Sequence, residues 1–433
     1  MTARTLDAPA ALSPWRSHGL LFLLAMMYAD NFVGRQIVAV MIEPIKHEFG
    51  ASDTSMGLIS GLAFAAVFAV LGLPAGRLAD RLPRIGLLAV SCLFWSIATI
   101  LCGLTGSFML LVLARMAVAV AEAPAAPTAL SLIADLYPPQ RRAFAISVFT
   151  AAPTFAAIIA LSLGAWLVDT QGWRTSFIVV GLPALLIGAL LALFGHEPQR
   201  GRWDGVVGHA APLDMMSTVK ALWAEHPVRY LILASATATL GGTAFGMWNA
   251  TFLVRSHGLA LQHAGLLTGL IGGTCAGFGV MFAGWLVDRL GARAAHWRLR
   301  IPLAGHLLGL LSLAAYLFWP GDTLVWMRGV PVPEAMLWCG LNAFVSVWWL
   351  GPSFALLTTL TSPRNRAVAL ALQTLLSTLL GVGVGPVLTG ALSDLLQPLY
   401  GVEALRHALL FSCMTSIGAI LLLSKVARLS ATR

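Results

Sequence analysis

Twelve uninterrupted apolar runs dominate this sequence, each long enough to cross a bilayer as a helix. A membrane helix needs roughly 20 predominantly apolar residues. The runs lie at about residues 18–43, 54–78, 85–106, 108–135, 141–168, 173–194, 228–254, 263–286, 299–319, 335–360, 366–396 and 404–426. Membrane strands would alternate over about ten residues, whereas these runs are longer and uniformly apolar. Composition agrees. Only 10% of the 433 residues are Asp, Glu, Lys or Arg, and 58% are hydrophobic, against about 25% charged in a soluble domain. A water-soluble fold lacks the polar cover for such a chain, and its hydrophobicity excludes a disordered one. The stretch before Trp15 is polar, and the run after it lacks a small-residue cleavage site, so it reads as a first span. The five cysteines lie inside apolar runs and form neither a disulfide framework nor a metal-ligand spacing.

The formal charge of +9 raises nucleic acid as a partner, and the positions of the charges remove it. With a cytoplasmic N-terminus, 20 Lys and Arg fall on the cytoplasmic side. The other side holds Lys46, Arg174, Arg255, Arg328 and Arg406, and two arginines remain inside spans. That bias predicts both termini inside an inner (plasma) membrane, as a multi-pass protein. The expected organisation is a cytoplasmic tail over 1–17, a six-helix bundle over 18–194, a linker over 195–227, a second bundle over 228–426 and a tail over 427–433. The linker segment near Leu213–Trp223 reads as an interfacial helix.

The halves share marks. Gly76-Arg77-Leu78-Ala79-Asp80-Arg81-Leu82-Pro83-Arg84 follows the second run, and Gly284-Trp285-Leu286-Val287-Asp288-Arg289-Leu290-Gly291-Ala292-Arg293 follows the eighth. Pro139-Gln140-Arg141-Arg142-Ala143 matches Pro363-Arg364-Asn365-Arg366-Ala367, and Gly164 with Asp169 matches Gly390 with Asp394. Repeats of this size are how secondary transporters are built, with substrate held near the midplane. On these residues the chain resembles the major facilitator superfamily, with an all-α fold of two pseudo-symmetric six-helix bundles. The resemblance implies a latch that holds the halves in one state of alternating access, made by Gly76, Asp80, Arg81, Arg142, Gly284, Asp288, Arg289 and Arg366. Asp80 and Arg81 would meet the start of span eleven, and Asp288 and Arg289 the start of span five.

A narrower resemblance lies in Glu122-Ala123-Pro124, Pro127-Thr128, Leu132-Ile133-Ala134-Asp135-Leu136-Tyr137-Pro138 and Arg35-Gln36-Ile37-Val38-Ala39-Val40-Met41-Ile42-Glu43-Pro44. These segments resemble the Spinster family of lipid transporters. In that family an Asp usually precedes the arginine of span one, where this chain has Gly34. Asp30, one helical turn earlier, is a candidate substitute.

Charges inside spans are costly and are functional candidates by default. There are four: Asp30 and Arg35 in span one, Arg115 and Glu122 in span four. Arg115 and Glu122 are seven residues apart, about 10.5 Å along a helix and about 20° from eclipsed. Depth along the runs predicts two layers, Arg35 with Arg115 and Asp30 with Glu122. The arginines suit a phosphate or carboxylate, and Glu122 is a candidate proton carrier. A buried ion-pair network holding the two spans together is the structural alternative.

The second half carries no charge at mid-depth. It offers Trp348, Trp349, Phe344, Trp248 and Asn249 as a mainly apolar cavity wall, with lipid-facing packing as the alternative for any one aromatic. His306 reads as a packed or hydrogen-bonded helix residue. A cavity charged on one wall and apolar on the other suits an amphiphile. The expected function is proton-coupled movement of a lysophospholipid or sphingoid-type lipid by a monomer. An exporter of organic anions or drugs and a non-transporting lipid receptor are the alternatives. No phosphate-binding loop, H-E-x-x-H or nucleophile elbow occurs, so neither an enzyme nor a cofactor or metal site is expected.

Overall fold

The structure, a computed structural model, describes residues 14–200, 203, 215–320, 322–327, 329–362 and 365–431. Much of the tail expected over 1–17, most of 201–214, and Arg364 lie outside the described residues. The twelve expected spans are present. Span one is Pro14–Gln36 and Val38–Phe49. Span two joins Asp53–Gly57, the π-helical Leu58–Leu62 and Ala63–Arg81. Span three is Arg84–Leu104, and span four is Phe108–Glu122 and Ala125–Leu136. Spans five and six share the stretch Pro139–Phe194, divided at Gly172, whose φ of 79° lets the chain reverse.

A short helix, Met215–Ala224, precedes span seven, His226–His257. Its Leu222 is buried among Val228, Leu231 and Val426. Span eight joins Leu261–Leu267, the π-helical Thr268–Gly273 and Thr274–Gly291. Span nine is Trp297–Phe318. An antiparallel hairpin, Thr323–Met327 with Val330–Pro333, leads to span ten, Ala335–Ser346 and Leu350–Leu360. Span eleven joins Arg366–Leu376, the π-helical Ser377–Val384 and Gly385–Tyr400. Span twelve, Ala404–Ala431, continues as helix into the expected tail.

The irregularities repeat between halves. Spans two and eight both carry a π segment in their first third, and spans four and ten are both interrupted midway. In span four, Pro124 lacks the N–H that would reach back to the carbonyl of Val120. Broken helices at membrane depth persist only where they are buried in protein or line a cavity.

An even number of crossings puts the start of span one and the end of span twelve at one end of the bundle, here the terminal end. The two halves are closed against each other at the opposite, far end. Spans two and eleven approach so closely there that a Cβ on Gly57 would lie 2.5 Å from the carbonyl oxygen of Pro386. One on Gly61 would lie 2.5 Å from that of Val382, and one on Gly390 2.2 Å from that of Asp53. Spans five and eight meet through Gly265, Gly269 and Gly273 against Ala165, Ser162 and Ile158. Small residues permit such approach in lipid.

Ion pairs reinforce this closure. Arg255, at the end of span seven, donates to both carboxylate oxygens of Asp53 at 2.7 and 2.9 Å and to Glu43 at 2.7 Å. Lys46 and Ser393 also donate to Asp53, at 2.5 and 2.7 Å. Asp394 accepts from the backbone N–H groups of Asp53 and Thr54 at 2.9 and 2.8 Å. A carboxylate at that helix start satisfies two orphan donors and complements the helix dipole.

Gly57→Val and Gly265→Val are expected to push the closed far end apart. The distance between spin labels at the exposed Thr170 and Val402 should lengthen in both variants, and in Arg255→Met, which removes the cation between Glu43 and Asp53. Unchanged distances in all three would refute the glycine contacts and ion pairs as what holds this end shut.

Candidate functional site

Of the four mid-depth charges of the first half, Arg35 and Glu122 pair directly, while Arg115 and Asp30 take neutral partners. Arg35 Nε donates to Glu122 Oε2 at 2.8 Å, joining spans one and four. Glu122 is buried, while the Arg35 side chain is 25% exposed. Arg115, fully buried, donates from Nη1 to the carbonyl oxygen of Gly34 at 3.1 Å, while its Nε has no partner. Asp30 accepts from the Trp95 indole at 3.3 Å and so faces span three.

The physical reason is local. The helix of span one ends at Gln36 and restarts at Val38. The Gly34 carbonyl lies in the last turn before that break, where carbonyls lose helical partners. A long arginine side chain bridges one to two helical turns, so depth along the axis alone did not fix its partner. Rings of Phe32, Phe64 and Phe68 surround the Arg35 guanidinium at 5.2, 4.4 and 5.1 Å. Phe64 also lies 6.0 Å from Arg115, so one ring adjoins both cations.

At the terminal end, Asp288, Arg289 and Arg366 of the expected latch make no ion pair across the halves among the described residues. Asp288 and Arg289 are exposed and hold no ion pair among the described residues; Arg289 lies 5.3 Å from the Trp285 ring. A Cβ on Gly284 would meet nothing within 4 Å. Arg81 is exposed, and Arg366 donates to the Thr358 carbonyl of its own half at 2.8 Å. Gly76 sits within the helix of span two, Arg142 is half-buried in span five, and the side chain of Asp80 lies outside the described residues. Arg84, the last arginine of the first repeated loop, is fully buried instead. It holds Asp135 at the end of span four, Glu197 after span six at 2.7 Å, and the Pro198 carbonyl at 2.9 Å.

The second half differs from the expected apolar wall. A cavity of about 370 Å³ lies within it, lined by Asn249, Asn342, His306, Ser346 and Trp349, with Gln36 and Leu161 of the first half at its edge. Trp349 and Asn249 are there as expected. Trp248 is fully buried and donates to the Pro386 carbonyl at 3.0 Å. Phe344 and Trp348 pack with Phe282, at 5.4 Å each, away from the cavity. Apart from Asn249, sequence reasoning missed the polar residues of this wall because they are spread over five different spans. It also missed Glu43, Asp53 and Arg255, whose charges sit at span ends, where charge is ordinary. The pairing of Asp394 with Asp169 in the repeat was the available signal for one partner of that network.

The Major Facilitator Superfamily profile matches residues 22–386. An MFS-type efflux pump of Mycolicibacterium smegmatis is 32% identical over 418 residues, 94% of this chain and 92% of that protein. Protein spinster homolog 1 of Rattus norvegicus is 30% identical over 426 residues, covering 92% and 78%. The sphingosine-1-phosphate transporter SPNS2 of Mus musculus is 28% identical, covering 90% and 73%. Among solved structures, a bacterial homologue of the human lysosomal transporter Spinster, inward-facing and unoccupied, superposes with a TM-score of 0.84 at 26% identity, covering 96% and 98%. A chain with this doubled loop, these two broken-helix halves and these relatives belongs to the Major Facilitator Superfamily, as a Spinster-like membrane transporter and not an enzyme.

Proposed function

We propose that the protein moves an amphiphilic lipid, of the lysophospholipid or sphingoid-phosphate kind, across the plasma membrane by alternating access, coupled to protons and acting as a monomer. The observation that carries the reading is the pairing of half-buried Arg35 with buried Glu122, between two broken spans and ringed by phenylalanines. An anionic headgroup competes with Glu122 for the guanidinium of Arg35, and Arg115 adds a second positive charge. A carboxylate stripped of its cation in a low-dielectric site is neutralised by a proton rather than left charged. Substrate binding and proton uptake are thereby linked through one arginine. Asp30, in the same span as Arg35, assists Glu122 in carrying the proton. The Spinster relatives support a lipid as the substrate.

The bias of basic residues toward the terminal end supports assigning that end, with both termini, to the cytoplasm. The closed far end then faces outward and the structure faces inward. In this reading Asp80, Arg81, Arg142, Asp288, Arg289 and Arg366 engage when the inner end closes. One observation favours a second reading, an exporter of organic anions or drugs: the similarity to a mycobacterial efflux pump over nearly the whole chain. Uptake blocked by soluble anions and indifferent to lysolipids would select it.

Three outcomes test the proposal. In proteoliposomes with an imposed pH gradient, Glu122→Gln should abolish gradient-driven lysolipid accumulation while leaving lipid binding intact; accumulation at the wild-type rate would reject proton coupling through this residue. Arg115→Ala should weaken binding of phosphate-headed lipids roughly tenfold or more, as expected for loss of a charge-assisted hydrogen bond. In thermal unfolding, Arg35→Leu should destabilise by about 3–5 kcal/mol because it strands a buried carboxylate. Arg35→Leu combined with Glu122→Gln should recover most of that loss.

A further inference from the structure

The cavity in the second half has no role in the mechanism above. It is walled by spans seven, eight, nine, ten and twelve, and its lining contains no Asp, Glu, Lys or Arg. Two of its polar groups are buried and unpartnered: His306 Nε2, on a residue 5% exposed, and Thr268 Oγ1. His306 Nε2 has no hydrogen-bond partner among the described residues, and the ring stacks on that of Trp349 with centroids 6.4 Å apart and planes at 20°. An unpartnered polar atom at this depth is a standing free-energy cost, which a hydrogen-bonding ligand removes. A single ordered water needs about 30 Å³, far less than the volume present. Asn342, by contrast, is already fixed, donating to the Gly309 carbonyl at 2.9 Å.

The space is created by missing side chains. A Cβ built on Gly242, Gly246 or Gly272, all on the cavity wall, would meet nothing within 4 Å. These glycines therefore do not serve close helix packing, unlike Gly241 beside Thr415. Gln36, at the cavity edge, immediately follows Arg35 in span one. Successive helical residues point about 100° apart. A molecule held at Arg35 by its head thus reaches the cavity around one side of the same helix.

We infer that this cavity receives the uncharged hydrogen-bonding middle of the transported amphiphile, its hydroxyl and ester or amide groups, and that His306 and Thr268 select for them. The inference rests on the amphiphile reading given above. It assigns the second half a part that an apolar wall could not play. A site with buried polar groups discriminates strongly against an analogue that lacks the matching groups, because binding then leaves those groups unpaired.

The test uses two probes that share a phosphocholine head and chain length: a lysophosphatidylcholine, and an alkylphosphocholine that lacks the glycerol hydroxyl and ester. With the wild-type protein in lipid nanodiscs, the lysolipid should bind roughly tenfold or more tightly than the alkyl compound. His306→Phe and Thr268→Val should each narrow that ratio by weakening the lysolipid alone. Gly246→Leu, which fills open space and removes a helix glycine, should lower lysolipid affinity without lowering the melting temperature. Equal binding of the two probes by the wild type overturns the inference, as does a ratio that persists in all three variants. Either result, with Arg115→Ala still weakening both probes, leaves the amphiphile reading standing. If neither probe binds, or if Arg115→Ala affects neither, the amphiphile reading falls and this inference with it.

Discussion

Hydrocarbon supplies no hydrogen bonds, and nearly everything informative in this protein follows from that constraint. A polar group at mid-depth must pair, face a cavity, or cost free energy. Arg35 and Glu122 pair with each other. Arg115 takes a carbonyl next to the break in span one. His306 and Thr268 line a cavity, and their Nε2 and Oγ1 have no partner among the described residues. The same rule governs the backbone: the breaks at Ile37, Ala123–Pro124 and Val347–Trp349 all fall where spans border the charged pair or the cavity. Charge and broken helix therefore mark one continuous region, although they come from opposite halves of the chain.

How the halves meet is governed by contacts of two kinds. At the far end, glycines bring backbones within van der Waals contact, and Asp53 is the hub for Arg255, Lys46 and Ser393. Glycine contacts are short-ranged and sensitive to shape, so a small rotation of one half removes them all together. The ion pairs are more tolerant of distance and give the closed end its register. Such an interface is either made or lost, as a two-state rocking motion requires. At the terminal end the exposed Asp288 and Arg289 are the kind of groups that would form the opposing set of contacts. Since both ends cannot close around a fixed midplane site at once, each set competes with the other.

The twelve spans, their pairing into halves and the family were legible in the sequence because they rest on periodic or repeated signals: apolar run length, basic bias and a loop that occurs twice. The identity of the four buried charges was equally plain, since a lone charge in an apolar run has no other easy explanation. Their partners were not. Whether Arg35 reaches Arg115 or Glu122 depends on a helix break at Ile37, where no proline or glycine stands at the break itself. The polar lining of the second half was hidden for a different reason. Asn342 and His306 are neutral and come from different spans, and only packing brings them to one surface with Asn249. His306 looked like an ordinary packed histidine, and its stacking on Trp349 fits that description; what sets it apart is the missing hydrogen bond.

The differences between the repeats carry more of the function than their likeness. Arg84 closes the first repeated loop as a buried anchor for spans three and four and the chain after span six, whereas Arg293, one residue beyond the matching place, is exposed. Asp394 caps the start of span two, while its counterpart Asp169 is exposed and caps nothing among the described residues. The midplane charges lie in one half and the neutral hydrogen-bonding cavity in the other. Two identical halves would grip a symmetric ligand equally from both sides. Halves that have diverged in this way suit a ligand with two chemically distinct parts, an ionic end and an uncharged polar stretch. On the amphiphile reading proposed above, the two-fold scaffold supplies the rocking motion, and the departures from two-fold symmetry set which end of the ligand faces which half.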